Sequence, residues 1–216
     1  MLLVPDWLIL KTFRVKMQNK DQGLICDFVD GPVGYRFRQG GGRSQALPKA
    51  VGLKGKTNLH IIDATAGLGR DAFLLASLGA NVTMIERNPQ MHSLLHDAMV
   101  RAKNESYKYA EVIERMTLIH GDAIELLPSI KPKIVIIDPM HPPRSKSALV
   151  KKEMRIIRDI VGTDEDAGKL MNVALKYATK RVVLKWPQHA RPMDELPRPS
   201  HQITGKSTRY DVFIRI

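Results

Sequence analysis

From residue 59 onward, short apolar runs alternate with longer stretches of helical spacing. "LHIID" (59–63), "NVTMIER" (81–87), "MTLIHGD" (116–122), "PKIVIID" (132–138) and "KRVVLKW" (180–186) predict strands, and the first four end at or beside an acid. Between them, "GRDAFLLASLG" (69–79), "PQMHSLLHDAMVRA" (89–102), "KSALVKKEMRIIRDIV" (146–161) and "DEDAGKLMNVALKYA" (164–178) carry apolar residues at helical spacing. Thr163 or Asp164 is the expected cap of the last helix. "HQITGKSTRYDVFIRI" (201–216) predicts a hairpin turning between Gly205 and Thr208. Such alternation predicts an α/β domain whose mostly parallel sheet is covered on both faces, with the hairpin as an antiparallel edge. Ligands of open sheets sit outside the carboxyl ends of the strands. Asp63, Glu86, Asp122 and Asp138 all fall there.

The first fifty residues are less regular. "LICDFVD" (24–30) suggests a strand, and "GPVGYRFRQGGGRSQ" (31–45) a turn, a short strand and a glycine-rich loop. Gly40 to Gly42 permit close backbone approach, or simply link two parts. "ALPKAVGLKG" (46–55) fits a short helix closed by glycine. The expected division is a small β-rich extension over 1–50 and an α/β domain over 51–216. "MLLVPDWLIL" (1–10) is too short and too interrupted for a membrane span or a leader, so an early strand and a cytoplasmic protein are expected.

Charge changes the picture of partners. The 216 residues hold 34 Lys and Arg against 22 Asp and Glu, a formal net charge of +12. A polyanion is therefore the first partner to consider, and the location of the charge decides. Cys26 is the single cysteine, which excludes an intrachain disulfide and suits a small core residue. The two histidines of "HSLLH" (92–96) lack a third ligand, so no metal is expected.

"DATAGLGRD" (63–71) joins a strand to a helix through a small-residue turn. Gly67 and Gly69 allow backbone to approach a ligand and helix to pack on strand. Thr65 holds the place of the first glycine of a dinucleotide fingerprint, so the turn alone is weak evidence. Glu86 follows Asp63 by 23 residues, where an acid accepts hydrogen bonds from the ribose hydroxyls of an adenosine ligand. Asp122 stands where an adenine amino group would donate; helix capping is the alternative for any of these acids. Asp71, in the first helical turn, would repel a pyrophosphate. S-Adenosylmethionine carries an ammonium and a sulfonium instead, and Arg70 suits its carboxylate or a neighbouring acid. The acids thus favour a methyltransferase over a dehydrogenase.

Asp138-Pro139 then takes on a chemical meaning. In methyltransferases that alkylate exocyclic amino groups, an Asp/Asn-Pro-Pro-aromatic motif follows the fourth strand. A carboxylate oxygen and a backbone carbonyl accept the two N–H groups and turn the nitrogen toward the methyl group. The tetrad here is Asp138-Pro139-Met140-His141, with His141 in the place of the aromatic, either stacking on the base or facing solvent as a loop histidine. Arg144, Lys146, Lys151, Lys152, Arg155 and Arg158 follow against Glu153. That density fits RNA phosphates, or a solvated helix face.

"DATAGLGRDAFLLASLGANVTMIERNP" (63–89), "DPMHPPRSKSALVKKEMR" (138–155) and "ATKRVVLKWP" (178–187) resemble the bacterial small-subunit (16S) ribosomal RNA guanine-N2 methyltransferases, over about residues 24–216. The resemblance implies a Rossmann-like class I methyltransferase fold, S-adenosylmethionine as cofactor and 16S rRNA or the small subunit as partner. It places cofactor contacts at Arg70, Asp71, Glu86, Arg87, Asp122, Ala123 and Asp138. Adenine-N6 or protein-glutamine methylation, or RNA binding beside a vestigial pocket, remain the alternatives on the residues alone.

Overall fold

The computed structural model of the protein describes residues 24–40, 42, 44–53, 55, 58–140, 152–162 and 165–215. Among these residues a seven-stranded sheet has the order β3-β2-β1-β4-β5-β7-β6. The strands are β1 (His60–Asp63), β2 (Asn81–Glu86), β3 (Met116–His120), β4 (Ile134–Ile137), β5 (Arg181–Pro187), β6 (His201–Thr204) and β7 (Thr208–Ile214). β1 to β5 pair in parallel. β7 runs antiparallel to β5 and β6, as the closing hairpin predicts. The order reverses between β1 and β4, and such a switch point opens a crevice at the carboxyl edge.

All four residues of β4 are buried, as a strand covered on both faces requires. One apolar cluster lies on each side of the sheet. Ile61, Phe73, Met84, Leu95 and Val183 belong to one, and Ile62, Val135, Leu127, Met171 and Leu184 to the other.

The helices are, in order, α1 (Gly31–Arg38), α2 (Ala46–Ala50), α3 (Arg70–Ser77), α4 (Pro89–Glu105), α5 (Tyr107–Ile113), α6 (Ala123–Ile130), α7 (Lys152–Val161) and α8 (Ala167–Tyr177). Asn88 caps α4, its Oδ1 accepting from the N–H groups of Gln90 at 2.9 Å and Met91 at 3.1 Å. Asp122 caps α6, accepting from Ile124 N–H at 2.8 Å. The residue before α8 is Asp166, two places beyond the expected Asp164, and its carboxylate makes no capping bond. Thr163 and Asp164 lie outside the described residues.

The N-terminal region corrects two expectations. Residues 24–30 form no strand, and the short strand expected within 31–45 is the helix α1. The cause is local. Asp27 Oδ1 accepts from Val29 N–H at 2.8 Å and Asp30 N–H at 3.1 Å, which turns the chain out of an extended path. Pro32 then sits in the first helical turn, where its missing N–H costs nothing. Leu24, Cys26 and Phe28 are buried in the cluster that holds Phe73, and the Phe28 and Phe73 rings stack at 4.7 Å. Cys26 is a core residue as expected: burial pushes its thiol up to about 12, and it donates to Leu68 O at 3.2 Å. The strand expected over residues 1–10 lies outside the described residues. No described helix is long and apolar enough to cross a membrane.

Candidate active site

The carboxyl edge of the sheet gathers the strand-end acids. Glu86 ends β2 and is only 7% exposed. Its Oε2 accepts from Gly67 N–H at 2.9 Å and its Oε1 from Asn88 N–H at 2.8 Å. One carboxylate therefore fixes both the glycine turn after β1 and the start of α4. Gly67 has φ +53°, and a Cβ built there would find no atom nearer than Thr65 O at 3.9 Å. Backbone is thus laid bare toward the cleft. Gly69 does a different job. Its φ is +64°, and a Cβ would lie 2.6 Å from Leu95 Cδ1 and 3.1 Å from Phe28 Cζ, so it is a packing glycine beneath α3.

Beside this turn lies a cleft of about 660 Å³, part of it open to solvent. Thr65, Gly67, Glu86, Arg87, Asp122, Ala123, Asp138 and Pro139 line it. An ion pair stands at its α8 side, where Arg87 Nη1 meets Asp166 Oδ2 at 2.6 Å. That bond from Arg87 holds the Asp166 carboxyl below its ordinary range. The lining suits an adenosyl group: a buried carboxylate at the end of β2, bare backbone at Gly67 and apolar Ile85 and Ile157. Among the described residues, Arg87 is the one lysine or arginine that lines it.

Asp138 follows β4. Its N–H donates to Thr65 Oγ1 at 2.7 Å, and its Oδ2 accepts from Lys185 Nζ at 2.7 Å. Lys185 Nζ also reaches Asp71 Oδ2 at 2.8 Å. Asp138, Pro139 and Met140 are shared with a second cleft on the other side, lined also by Arg158, Lys185, Trp186 and Thr208. The Asp138-Pro139 step is thus the wall between two spaces.

Asp63 lies 3% exposed beneath the turn. Burial first, then the charges of Asp71 and Asp138, push its carboxyl up to about 7, against the Thr65 N–H bond and Lys185. Asp63, Gly69, Arg70 and Asp71 do not line the adenosyl-sized cleft. Arg70 and Asp71 instead border a cavity with Arg36, Gln45 and Tyr210. His141, Arg144, Lys146 and Lys151 lie outside the described residues, as does the side chain of Lys152. Arg155 is exposed on α7.

Three residues at the site were not singled out from the sequence: Thr65 as a hydrogen-bond partner, Asp166 and Lys185. A signal existed for Lys185, a lysine set inside the apolar run "VVLKWP" near the carboxyl end of a central strand.

Comparison with known proteins places the chain among methyltransferases. Residues 5–215 match the family described as "Putative SAM-dependent methyltransferase". A protein of Brucella anthropi named ribosomal RNA small subunit methyltransferase J is 64% identical over 192 residues, 89% of this chain and 94% of that protein. One of the same name from Shewanella amazonensis is 47% identical over 206 residues, 94% of this chain and 83% of that protein. The crystal structure of a SAM-dependent methyltransferase from Neisseria gonorrhoeae superimposes with a TM-score of 0.70 at 35% identity, covering 91% of this chain and 76% of that one.

Proposed function

Because the chain belongs to the ribosomal RNA small subunit methyltransferase J family of S-adenosylmethionine-dependent enzymes, we propose that it methylates the 2-amino group of a guanosine in 16S rRNA. One observation carries the reading of the site: Asp138-Pro139 stands between an adenosyl-sized cleft and a second cleft bordered by Arg158 and Lys185. An exocyclic amine entering from the second side meets its acceptor at the wall that the cofactor approaches from the first.

S-Adenosylmethionine supplies an electrophilic methyl group on a sulfonium. Glu86 would take the ribose hydroxyls, Gly67 would let the adenosyl group lie close to backbone, and Arg87, Asp122 and Ala123 would border the base. Arg70, Asp71 and Asp63 would serve the methionyl end and the support beneath it. Asp138 and the Pro139 carbonyl would accept the two N–H groups of the amine, turning its lone pair away from the ring and toward the methyl carbon. The N–C bond forms as the C–S bond breaks, and sulfur keeps the electron pair. The methylated nitrogen is acidic and releases its proton to water. His141 would stack on the base, while Arg144, Lys146, Lys151, Lys152 and Arg155 would hold RNA phosphates. The net charge of +12 supports a polyanionic substrate.

The test is methyl transfer from labelled cofactor to small subunits lacking the modification, with product nucleosides separated by mass. N2-Methylguanosine is expected. Asp138→Ala should lower kcat by about 10²-fold or more. N6-Methyladenosine as the product would overturn the substrate assignment, and full activity of Asp138→Ala would overturn the site.

A further inference from the structure

Lys185 is a cation built into a central strand. Its strand neighbours Leu184 and Trp186 are 1% and 8% exposed, and its own side chain is 24% exposed. A lysine in such a place persists only when paired. Its partners come from two different elements. Asp71 stands in the first turn of α3 and Asp138 beyond the end of β4, at 2.8 Å and 2.7 Å from the same nitrogen. The titratable groups gathered here are Asp63 below the turn, Asp71, Asp138 and Tyr210, the last directly across the ladder from Lys185. Arg158 of α7 faces the same cleft as Lys185.

The ammonium has three N–H donors, and two of them meet acids. Here the ammonium holds the carboxylate that the proposed reaction uses. A carboxylate offers about four acceptor directions, and the ammonium takes one of them. That bond also stops the carboxylate from rotating about its terminal torsion, which is otherwise broad. With Thr65 Oγ1 on the Asp138 N–H, the residue is held at backbone and side chain alike.

We propose that Lys185 is a positioning residue for methyl transfer: its ammonium, tied to Asp71 and Asp138, fixes the Asp138 carboxylate in the orientation that receives the substrate amine. This rests on the reading of Asp138 given above.

The experiment compares wild type, Lys185→Met, Lys185→Arg and Asp138→Ala in single-turnover methylation of small subunits across pH, with cofactor affinity measured by calorimetry. Lys185→Met should lose about 10- to 100-fold in kcat, a larger factor than any change in cofactor Kd. The acid limb of its kcat profile should move to higher pH, because an opposite charge has gone. Lys185→Arg, which keeps the charge, should keep the limb near its wild-type position. Wild-type kcat and profile in Lys185→Met, a loss expressed wholly as weaker cofactor binding, or the same displaced limb in Lys185→Arg, would each overturn the proposal. If Lys185→Met does not fold by circular dichroism, Lys185→Gln replaces it under the same criteria. An inactive Asp138→Ala beside a normal Lys185→Met sinks only the lysine proposal. An active Asp138→Ala sinks the reading of the site itself.

Discussion

Replacing Glu86 by Gln changes one oxygen to an amide nitrogen and little else in shape. In the folded protein both carboxylate oxygens accept backbone N–H bonds, from Gly67 at 2.9 Å and from Asn88 at 2.8 Å. A carboxamide has one acceptor oxygen, so one of these donors must face an NH₂ group. The site is only 7% exposed, and water cannot readily substitute. One charge-assisted bond is lost and one buried donor is left without an acceptor, together about 2–3 kcal/mol. For a chain of this size that lowers Tm by about 5–10 °C. The Gly67 turn also loses its anchor, and the acceptor for the ribose hydroxyls loses its charge. Cofactor affinity should fall by about 10- to 100-fold, as hydrogen bonds to charged groups imply. Differential scanning calorimetry gives the first number and isothermal titration with S-adenosylmethionine the second. A Glu86→Gln protein melting within about 1 °C of wild type would refute the stability account. Unchanged affinity would refute the assignment of the cleft.

The two glycines of the turn should separate by assay. Gly69→Ala puts a methyl group 2.6 Å from Leu95 Cδ1 in a filled core at positive φ, costing about 2–4 kcal/mol. Gly67→Ala meets no such atom, costs about 1–2 kcal/mol of backbone strain, and should show mainly in weaker cofactor binding; equal losses of Tm would contradict this. Asp63 tests linkage. Its folded value of about 7 lies above its ordinary 3.8, so the folded protein holds a proton that the unfolded chain has released. Stability contributed by that proton is complete below about pH 4, declines as pH rises to about 7, and is level beyond. Asp63→Asn should therefore flatten the dependence of Tm between about pH 4 and pH 7, and an unchanged slope in calorimetry would sink the account.

The sheet was legible because its strands state their environment. "IVII" can be buried on both faces or not folded at all, and the acids after the strands mark the edge where the chain leaves the core. The helices that escaped notice lack such a signature. α6 contains Pro128, which removes an internal bond and argues against helix on propensity alone. α1, "GPVGYRFR", has two glycines and a proline. It forms because Phe37 packs edge-on against Phe73 at 5.5 Å and lies 4.8 Å from Tyr109. Gly34 is required there because a Cβ would fall 1.7 Å from Val29 O. Tertiary packing outweighs propensity in such a segment, and a single sequence does not display its packing partners.

The site divides along the same line. Glu86 and Asp138 could be singled out because each chemical role follows from one position at one strand end. Lys185 could not, because its meaning lies in two partners 114 and 47 residues away. On its own strand it is only an awkward lysine. Asp71 and Asp138, taken separately, are two acids with separate tasks. Folding places one ammonium between them, and the cost of carrying a cation in a central strand becomes the means of holding a carboxylate still. The bridge ties β5 to the first turn of α3 and to the end of β4, across the switch point of the sheet. Alignment of the proposed acceptor then depends on α3, β4 and β5 together.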